Sequence, residues 1–420
     1  MPPDTRDRPN PPSGPLHGLR VIDLSTVLAG PYATMILADL GADVAKVEPP
    51  EGDATRLWGP PWAGSQADGT RTAAYFLAVN RNKRSLRLDL RTPDGAEILR
   101  RLLVDADVLV ENLRPGGLAR LGFGDDVLRT LAPRLVHLAI SGYGPTGPAA
   151  TRPGYDFVIQ AVGGLMSITG QSDDAGGAPT KVGVAISDVV TGLYAVIGVL
   201  AGLLERADGA AGGGRAPGQR IDASLLASTL AALVNQAQNA FVTGRAPGRR
   251  GNAHPNIVPY ETFVTADGEL AVAVGSERQW PRLCVALDLP GLADDPRFAT
   301  NGDRVERRED LLPILAARFR ERGTAAWQAM LEAADVPCGP VTDIVAAFGS
   351  PEAAALGMSV EIEHPALGVL RQVGIPLRFE RTPGSVRSAP PLLGEHADEI
   401  LTGLGYGTLE IAGFRERRVV

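Results

Sequence analysis

Asp188 is the carboxylate whose sequence surroundings best suit it to chemistry. It follows the short apolar run 182–186 (VGVAI) and precedes 189–204 (VVTGLYAVIGVLAGLL), which is apolar on every side of a helix. We expect its side chain at a buried helix N-terminus, where the helix dipole favours the ionised form that a carboxylate nucleophile needs. The same position suits an ordinary N-cap that accepts backbone N–H bonds, and the pattern alone favours this structural role over catalysis.

Tyr155 and Asp156 form a second candidate pair, in the turn-like segment PGYDF. A tyrosine in such a turn commonly packs its ring on the core. The alternative is a polar group that faces a ligand. The residues themselves leave both interpretations open.

Basic residues gather at the entry to one predicted strand and after the next. Guanidinium and ammonium groups make charge-assisted contacts with phosphate oxygens, so this cluster suits a phosphate-bearing ligand. A solvated positive face is the equally good alternative. The residues concerned are Arg81, Lys83, Arg84, Arg87, Arg114 and Arg120.

The sequence argues against several common kinds of site. The five histidines are far apart without the paired spacing of metal ligands, and the two cysteines, Cys284 and Cys338, cannot form a disulfide framework or a cysteine-based metal site. There is no G-x-S-x-G nucleophile elbow and no Walker loop, and the first turn, STVLAGP, lacks the three spaced glycines of a dinucleotide site. We therefore predict no metal, and we disfavour NAD and ATP as ligands.

Composition indicates a soluble enzyme of two or three domains. The chain has 420 residues with 41 basic and 48 acidic side chains, and a net charge of −7 gives no attraction to nucleic acid or an anionic membrane. The first fifteen residues contain six prolines and no apolar core, unlike a signal peptide. Residues 189–204 are shorter than the roughly 20 residues that span a bilayer, so we expect a buried core helix. These features predict a cytoplasmic protein without membrane or nucleic-acid partners.

The candidate residues are embedded in alternating strands and helices. Strands are predicted at 19–25, 43–48, 85–90, 107–112 and 135–142, and helices at 32–40, 94–106 and 125–131. This alternation predicts βαβ units and a mainly parallel, doubly wound sheet, whose ligands bind at the carboxyl ends of the strands.

A different organisation follows. Residues 207–218 (ADGAAGGGRAPG) are typical of an exposed linker, and 221–241 predicts a helix. A second domain begins near Gly251, marked by two apolar runs that flank Asp267-Gly268 in 261–274 and predict a hairpin. Further helices are predicted at 277–287, 303–320 and 324–334, while periodicity alone does not assign the C-terminal portion to either domain.

Several motifs together resemble the class III CoA-transferases, a family that includes formyl-CoA, carnitine and succinyl-CoA-dependent dicarboxylate CoA-transferases, with α-methylacyl-CoA racemase as a relative. The resemblance extends from about Leu16 to Tyr406. The motifs include LHGLRVIDLSTVLAGPYATMILADLGADVAKVEPPEGDATR, NRNKRSLRLDL, VENLRPGGLARLG, SGYGPTGP, PGYDFVIQAVGGLMSITG, ISDVVTGLYAVIGVLAGLLER, GQRIDASLL and GNAHPNIVPYETF.

The resemblance implies roles for individual residues. Asp188 occupies the place of the family's nucleophilic aspartate, which reverses the preference for a purely structural N-cap. Tyr143 falls in a further matching active-site segment. Stretches that contact CoA in the family match Val27, Leu28, Ala29, Leu88, Asn112, Leu113 and Arg120.

The resemblance also implies the architecture. We expect an α/β fold, with a Rossmann-like doubly wound parallel sheet in the large domain, a smaller α+β domain, and two chains interlocked as a homodimer. The predicted boundaries are a disordered extension over 1–15, a large domain over 16–206 completed by about 370–420, a linker and helix over 207–250, a small domain over 251–345 and a return linker over 346–369.

Two departures from family patterns bear on the reaction. Leu28 replaces the glutamine of formyl-CoA transferase, and 248–260 (GRRGNAHPNIVPY) replaces its run of glycines, which argues against formate. Tyr155 replaces the racemases' histidine, and a phenol of pKa about 10 is a poor base for an α-proton. Transfer is therefore favoured over racemisation.

Supporting roles are predicted for a few further residues. Glycines such as Gly163 and Gly164 permit the close backbone approach that an oxyanion site needs. Arg249, Arg250 and His254 are candidates to bind a substrate carboxylate, with an exposed linker end as the equal alternative. Glu277 resembles an active-site acid of the racemases, but capping of the helix that follows it is the favoured interpretation.

The sequence thus predicts an acyl-CoA:carboxylate CoA-transferase that moves CoA from succinyl-CoA or another dicarboxylyl-CoA to a carboxylic acid, through an aspartyl anhydride and an aspartyl-CoA thioester on Asp188. CoA is a substrate, and no permanently bound cofactor is expected. Racemase-like proton transfer and a non-catalytic acyl-CoA-binding protein are the alternatives.

Overall fold

The computed structural model describes residues 14–65, 67, 71–211 and 216–420. Most of the predicted N-terminal extension, and residues 212–215 of the predicted linker, lie outside these ranges. The chain divides into two compact units. The first, here the large unit, comprises the chain up to Gly163 with Gly183–Ala237 and Pro351–Val420; the small unit comprises Gly164–Val182 and Gln238–Ser350.

The strands are β1 (Arg20–Asp23), β2 (Asp43–Glu48), β3 (Trp62–Ala63), β4 (Thr72–Ala73), β5 (Lys83–Arg87), β6 (Val108–Glu111), β7 (Val136–Ser141), β8 (Arg220–Ser224), β9 (Tyr260–Val264), β10 (Glu269–Ala273), β11 (Cys338–Pro340), β12 (Ser359–His364) and β13 (Gly368–Val373). The helices are α1 (Ala29–Asp39), α2 (Ala74–Leu77), α3 (Pro93–Val104), α4 (Gly117–Arg120), α5 (Asp125–Leu131), α6 (Asp156–Val162), α7 (Leu165–Ile168), α8 (Ile186–Ala211), α9 (Leu225–Ala232), α10 (Val234–Thr243), α11 (Gln279–Ala286), α12 (Asn301–Glu306), α13 (Arg308–Phe319), α14 (Thr324–Ala333), α15 (Ile344–Gly349), α16 (Pro351–Ala355), α17 (Ala397–Gly403) and α18 (Thr408–Glu416).

A six-stranded parallel sheet organises the large unit. Its order is β5-β2-β1-β6-β7-β8, so the chain builds outward from β1 to one edge and then from β6 to the other. This is the doubly wound order, in which ligands bind beyond the carboxyl ends of the two central strands, where the direction reverses. The predicted parallel sheet is confirmed, and the switch point lies between β1 and β6.

The sixth strand corrects the sequence analysis. The predicted helix over 221–241 does not begin at its first residues, because residues 220–224 form β8 beside β7, with His137 opposite Arg220 and Ser141 opposite Ser224. Pairing with β7 gives their backbone groups partners that a local helical pattern does not reveal. The Ser224 side chain then accepts a hydrogen bond from the Ala227 N–H and caps α9.

Helix α8 begins at Ile186, two residues earlier than predicted, so Asp188 lies in its first turn. Residues such as Ala195 and Val199 pack in the core of the large unit, but Ile197 and Leu204 are 60% and 63% exposed, so the predicted core helix is buried on one side only. In the preceding run 182–186, Gly183 and Val184 are exposed and the other three residues are partly buried. By length and composition alone, Ile186–Ala207 also qualifies as a membrane span, as core helices of soluble proteins do.

The interior of the large unit contains an unusual number of paired charges. Lys83 lies 3.1 Å from Asp23, and both side chains are inaccessible to solvent. Arg81 is buried against Asp39 at 2.7 Å. The sequence analysis left a phosphate clamp and a solvated face as the alternatives for this basic segment, and for Arg81 and Lys83 both are wrong. Their charges balance buried carboxylates of the same unit.

The small unit is built on the three-stranded antiparallel sheet β11-β10-β9. The predicted hairpin is confirmed, with Glu269 opposite Val264 and Asp267-Gly268 in the turn. Trp280, Phe319 and Trp327 pack within its core, and Phe319 stacks on Phe263 with ring centroids 4.5 Å apart. The C-terminal helices α17 and α18, unassigned by periodicity, pack into the core of the large unit.

Candidate active site

Asp188 is held in a dry environment. Asp188 lies in the first turn of α8 and is only 8% exposed to solvent. Burial, and secondarily the negative charge of Asp156, raise the pKa of Asp188 from 3.8 to about 7. Burial and the charge of Asp156 therefore oppose the ionised form, which the helix dipole was expected to favour. The result is a carboxylate that has little hydration to lose when it attacks an electrophile.

Asp156 is fixed beside this carboxylate by two hydrogen bonds. One oxygen accepts the backbone N–H of Ser187, the residue before Asp188, at 2.8 Å. The other accepts the side-chain amide of Gln160 at 2.8 Å. Because both oxygens have defined partners, Asp156 presents a stationary negative charge to Asp188. This geometry favours a positioning role for Asp156.

Tyr75 is a site residue that the sequence analysis missed. It lies on α2, and its ring meets that of Trp58 edge to face with centroids 5.3 Å apart. Burial raises the pKa of Tyr75 to about 12, helped by the negative charges of Asp188, Asp156 and Asp53. The phenol therefore remains a neutral hydrogen-bond donor that is sensitive to the charge of Asp188. No local pattern marks this tyrosine, because its acidic neighbours come from distant parts of the chain.

The turn between β1 and α1 contains three of the residues matched to CoA contacts. Val27 adopts φ +73°, a left-handed conformation that is rare for a β-branched residue. Leu28 is the N-cap of α1 and makes no side-chain capping bond, while Ala29 is buried. A Cβ on Gly192, one turn after Asp188, would lie 2.9 Å from the Ala29 carbonyl oxygen, so only glycine admits this approach. The turn thus packs directly on the helix that bears Asp188.

Asn112 lies immediately after β6 and faces the same turn. Its amide oxygen accepts the Thr26 N–H at 3.0 Å, and its amide nitrogen donates to the Thr26 carbonyl at 2.7 Å. The side chain that was matched to a CoA contact is therefore engaged in holding the turn. Its neighbour Leu113 has its backbone N–H bound by Glu111 at 2.6 Å.

The remaining predicted CoA residues have varied surroundings. The Leu88 side chain is buried in the core, so only its backbone is placed to meet a ligand. Arg120 is exposed at the end of α4. Both assignments stay predictions.

The tyrosines and glycines predicted to support the site differ in exposure. Tyr143 packs against the core of the large unit, whereas Tyr155 is 59% exposed at the N-cap of α6. A Cβ on Gly163 would lie 2.8 Å from the Ile159 carbonyl oxygen, so its backbone is closely surrounded. Gly164, in the small unit, has φ +80° with open space around its Cα. Which amides would stabilise an oxyanion stays a prediction.

In the small unit, the predicted carboxylate-binding residues separate into two groups. Arg249 is committed to its own unit, with an ion pair to Asp173 and a 3.1 Å hydrogen bond to the Gln171 carbonyl. Arg250 is exposed. Burial lowers the pKa of Arg308, and the nearby positive charge of Arg250 lowers it further.

His254 lies beside these two arginines. Its carbonyl accepts from Arg308 at 3.4 Å, and burial, then the charge of Arg308, lower the pKa of its imidazole. Arg308 was missed by the sequence analysis because it follows His254 by more than fifty residues. The lowered pKa keeps the imidazole neutral near pH 7, and the carboxylate of Glu261 partly offsets the positive charge of Arg308.

Glu277 is engaged in packing the small unit. One of its oxygens accepts the N–H of Asn301, the first residue of α12, at 2.6 Å, and the other pairs with Arg304 at 2.9 Å. Helix α11, which follows Glu277 directly, has no side-chain cap. The favoured prediction of a cap on that helix is therefore wrong, since Glu277 instead binds the first N–H of α12, whose N-cap is Thr300.

Comparison with known proteins identifies the family. Residues 16–397 match the family described as CoA-transferase family III. The chain belongs to this family. A succinyl-CoA:glutarate CoA-transferase from Homo sapiens is 41% identical over 388 residues, covering 92% of this chain and 85% of that protein. A succinate–glutarate CoA-transferase from Agrobacterium fabrum is 43% identical over 391 residues, covering 93% and 96%.

Solved structures agree with this membership. The crystal structure of a CAIB/BAIF family protein from Brucella suis has a TM-score of 0.81 and 42% identity, covering 93% of this chain and all of that one. The resemblance noted from the motifs is thereby confirmed, and the protein is a CoA-transferase. Within the described ranges, no group of three or more His, Cys, Asp or Glu side chains is arranged to hold a metal ion.

The raised pKa of Asp188 predicts how CoA transfer depends on pH. If the ionised form is the nucleophile, kcat/KM should rise with pH through about 7 and fall about tenfold per pH unit on the acidic side. Asp156→Asn should move this limb to lower pH, because the like charge that opposes ionisation is gone. The measurement is kcat/KM across the range in which the protein stays folded by circular dichroism. A flat profile, or a limb that Asp156→Asn does not move, would contradict the prediction.

Proposed function

We propose that this CoA-transferase moves CoA from succinyl-CoA to a second dicarboxylic acid, with Asp188 as the covalent nucleophile. The observation that carries the proposal is the burial of Asp188 with its pKa raised to about 7. Relatives named as succinyl-CoA:glutarate and succinate–glutarate CoA-transferases support the substrate class.

Chemically, the transfer is a sequence of balanced exchanges at carbonyl carbon. An oxygen of Asp188 attacks the thioester carbonyl, the C–S bond breaks, and CoA leaves as a thiolate with an aspartyl–acyl anhydride behind it. The thiolate attacks the aspartyl carbonyl, forming an aspartyl-CoA thioester and releasing the donor acid. The acceptor carboxylate attacks the carbonyl carbon of that thioester, the C–S bond breaks, and a second anhydride joins Asp188 to the acceptor as the thiolate leaves. The thiolate then attacks the acceptor carbonyl of this anhydride, which forms the new acyl-CoA and releases the Asp188 carboxylate.

The local geometry suits these steps. A carboxylate is a weak nucleophile in water, so the desolvation of Asp188 increases its reactivity. The Tyr75 phenol, which the charge of Asp188 helps to keep neutral, is our candidate donor to the developing oxyanion, a contribution typically worth about 2.7–4 kcal/mol for each lost donor. Backbone N–H groups near Gly163 are further candidates.

For the acceptor, we propose that Arg250, Arg308 and His254 bind a carboxylate. The adjacent positive charges of Arg250 and Arg308 favour an anion although Glu261 already supplies one negative charge near Arg308, His254 adds a neutral imidazole, and a guanidinium binds a carboxylate through paired N–H groups. The relatives named for succinate and glutarate favour dicarboxylic over monocarboxylic acceptors.

Mass spectrometry tests the nucleophile and substrate together. Incubation with succinyl-CoA should add CoA or a succinyl group to Asp188, and hydroxylamine should convert that residue to a hydroxamate. Glutarate should then discharge the adduct as glutaryl-CoA, while butyrate, a monocarboxylate of similar length, should react at least about tenfold more slowly. Labelling at another residue would contradict the assignment. Deuterium uptake at the acyl α-carbon without any acceptor would support the racemase alternative instead.

We also propose that the protein is an interlocked homodimer. Each unit by itself exposes large apolar side chains: Phe157, Ile197, Leu204 and Val234 in the large unit, and Phe241, Val242, Ile344 and Val345 in the small one. Exposed large apolar side chains, where they form a patch, are typical of protein interfaces.

Analytical ultracentrifugation should show a dimer, and Ile197→Glu should weaken it, whereas Val104→Glu, also at an exposed apolar position, should leave it intact. Tagged and untagged dimers mixed in the native state should not exchange subunits, but should form mixed dimers after joint unfolding and refolding. A monomer, or rapid native exchange, would contradict the proposal.

A further inference from the structure

The turn between β1 and α1 is held by buried side chains from three other segments. The Ser25 N–H donates to Asp23 at 2.9 Å, and the Ser25 carbonyl accepts from the Lys46 ammonium at 2.8 Å. Asn112 binds both backbone groups of Thr26. Side chains therefore bind the backbone of this turn at Ser25 and Thr26, between the strand β1 and the N-cap of α1.

Asp53 completes this arrangement. One of its oxygens lies 3.0 Å from the Lys46 ammonium, and neither side chain is accessible to solvent. The other accepts the Val27 N–H at 3.4 Å and the Thr55 N–H and hydroxyl at 3.0 and 2.7 Å. The carboxylate thus links the ion pair directly to the residue with the left-handed backbone.

Val27 requires such support. A β-branched side chain at φ +73° is a genuine steric outlier, and an outlier of this kind persists only where surrounding contacts over-determine it. Released from its contacts, the turn would relax to an ordinary backbone conformation. The left-handed conformation of Val27 therefore depends on the buried contacts that surround it.

The location of the turn connects this system to the reaction. It follows β1, and Asn112 follows β6, so the two close the switch point of the doubly wound sheet. The Ala29 carbonyl packs on Gly192, one helical turn from Asp188. Asp53 and Asp188 both act on the Tyr75 phenol. The turn therefore forms a wall of the nucleophile's site.

We propose that the buried Lys46–Asp53 pair is a clamp that holds Val27 in its left-handed conformation and so positions the first turn against the helix that bears Asp188. Lys46 and Asp53 are positioning residues, which touch no reacting atom. The proposal rests on Asp188 being the nucleophile, as proposed above. A purely structural ion pair, which stabilises the fold without regard to residue 27, is the alternative that the test must separate.

A double-mutant cycle separates the two. Glycine adopts φ +73° without strain, so the need for the clamp should disappear when Val27 is replaced. Asp53→Ala should lower kcat/KM for CoA transfer at least about tenfold in the wild-type background, but less than about threefold in the Val27→Gly background. Unfolding midpoints from circular dichroism for all four proteins report stability separately. Asp188→Asn, assayed in parallel, tests the nucleophile independently of the clamp.

Equal losses of kcat/KM in the two backgrounds, or no loss in the wild-type background, would overturn the clamp. If Asp53→Ala does not fold, Asp53→Asn serves in its place, since it removes the charge facing Lys46 while keeping an acceptor oxygen. The same cycle with Val27→Gly then decides the question by the same criterion. Wild-type turnover in Asp188→Asn would overturn the nucleophile assignment without altering how the cycle is interpreted.

Discussion

Asp188→Asn is expected to abolish CoA transfer and at the same time to make the folded protein more stable at pH 8. The amide cannot form an anhydride with the acyl group, so the covalent route is lost. The carboxyl, however, is ionised at pH 8 against the cost of burial. A pKa raised from 3.8 to about 7 corresponds to as much as about 4 kcal/mol of destabilisation above pH 7, which a neutral amide avoids.

The sign of this effect follows from proton linkage. Between pH 3.8 and about 7 the folded protein binds more protons at Asp188 than the unfolded chain, so the free energy of unfolding attributable to this group falls as pH rises. Urea unfolding at about pH 5 and pH 8 should therefore show a larger gain for Asp188→Asn at the higher pH. Glu352→Gln, an exposed carboxylate in the first turn of α16, is the matched control and should change neither property. An inactive variant that is less stable at pH 8 would contradict the electrostatic account.

Asp23→Asn is expected to cause the largest loss of stability among single charge removals in this protein. Asp23 is completely buried and lies 3.1 Å from the Lys83 ammonium, with Lys46 also acting on it. Breaking a buried pair on one side typically costs about 3–5 kcal/mol, because the remaining charge is left without compensation. In this protein, both Lys83 and Lys46 would lose the compensating negative charge of Asp23.

The same interactions of Asp23 with Lys83 and Lys46 should also make the stability of the protein depend on pH. Although burial alone would raise the pKa of Asp23, the charges of Lys83 and Lys46 and hydrogen bonds from Ser25 and Thr34 lower it to about 2. The stability that Asp23 contributes is therefore present above pH 3.8 and is lost as pH falls through about 2.

Urea unfolding at neutral pH checks the expected loss. Asp398→Asn, which removes a carboxylate from an exposed pair with Arg415, should cost less than about 1 kcal/mol and serves as the control. Similar losses for the two variants would show that burial does not govern the Asp23 pair.

Much of the fold was predictable because it depends on neighbours along the chain. Strand β2 and helix α5 have the predicted bounds, and the Asp267-Gly268 turn marks the β9–β10 hairpin. Strand β8 was not predictable, because residues 220–224 gain their extended conformation from the edge of β7, about eighty residues away. A local pattern of apolar residues cannot distinguish this strand from the start of the helix that follows.

For the site, the amino-acid sequence by itself identified Asp188, through its place before a long apolar helix and through family motifs. The tertiary structure alone decided how burial acts on that carboxyl, revealed its electrostatic effect on Tyr75, and showed that Lys83 and Arg81 neutralise buried carboxylates. Periodicity and turn residues are encoded over a few positions. Desolvation and ion pairing depend on which side chains from distant parts of the sequence surround a charge, so they can be determined only from the folded structure.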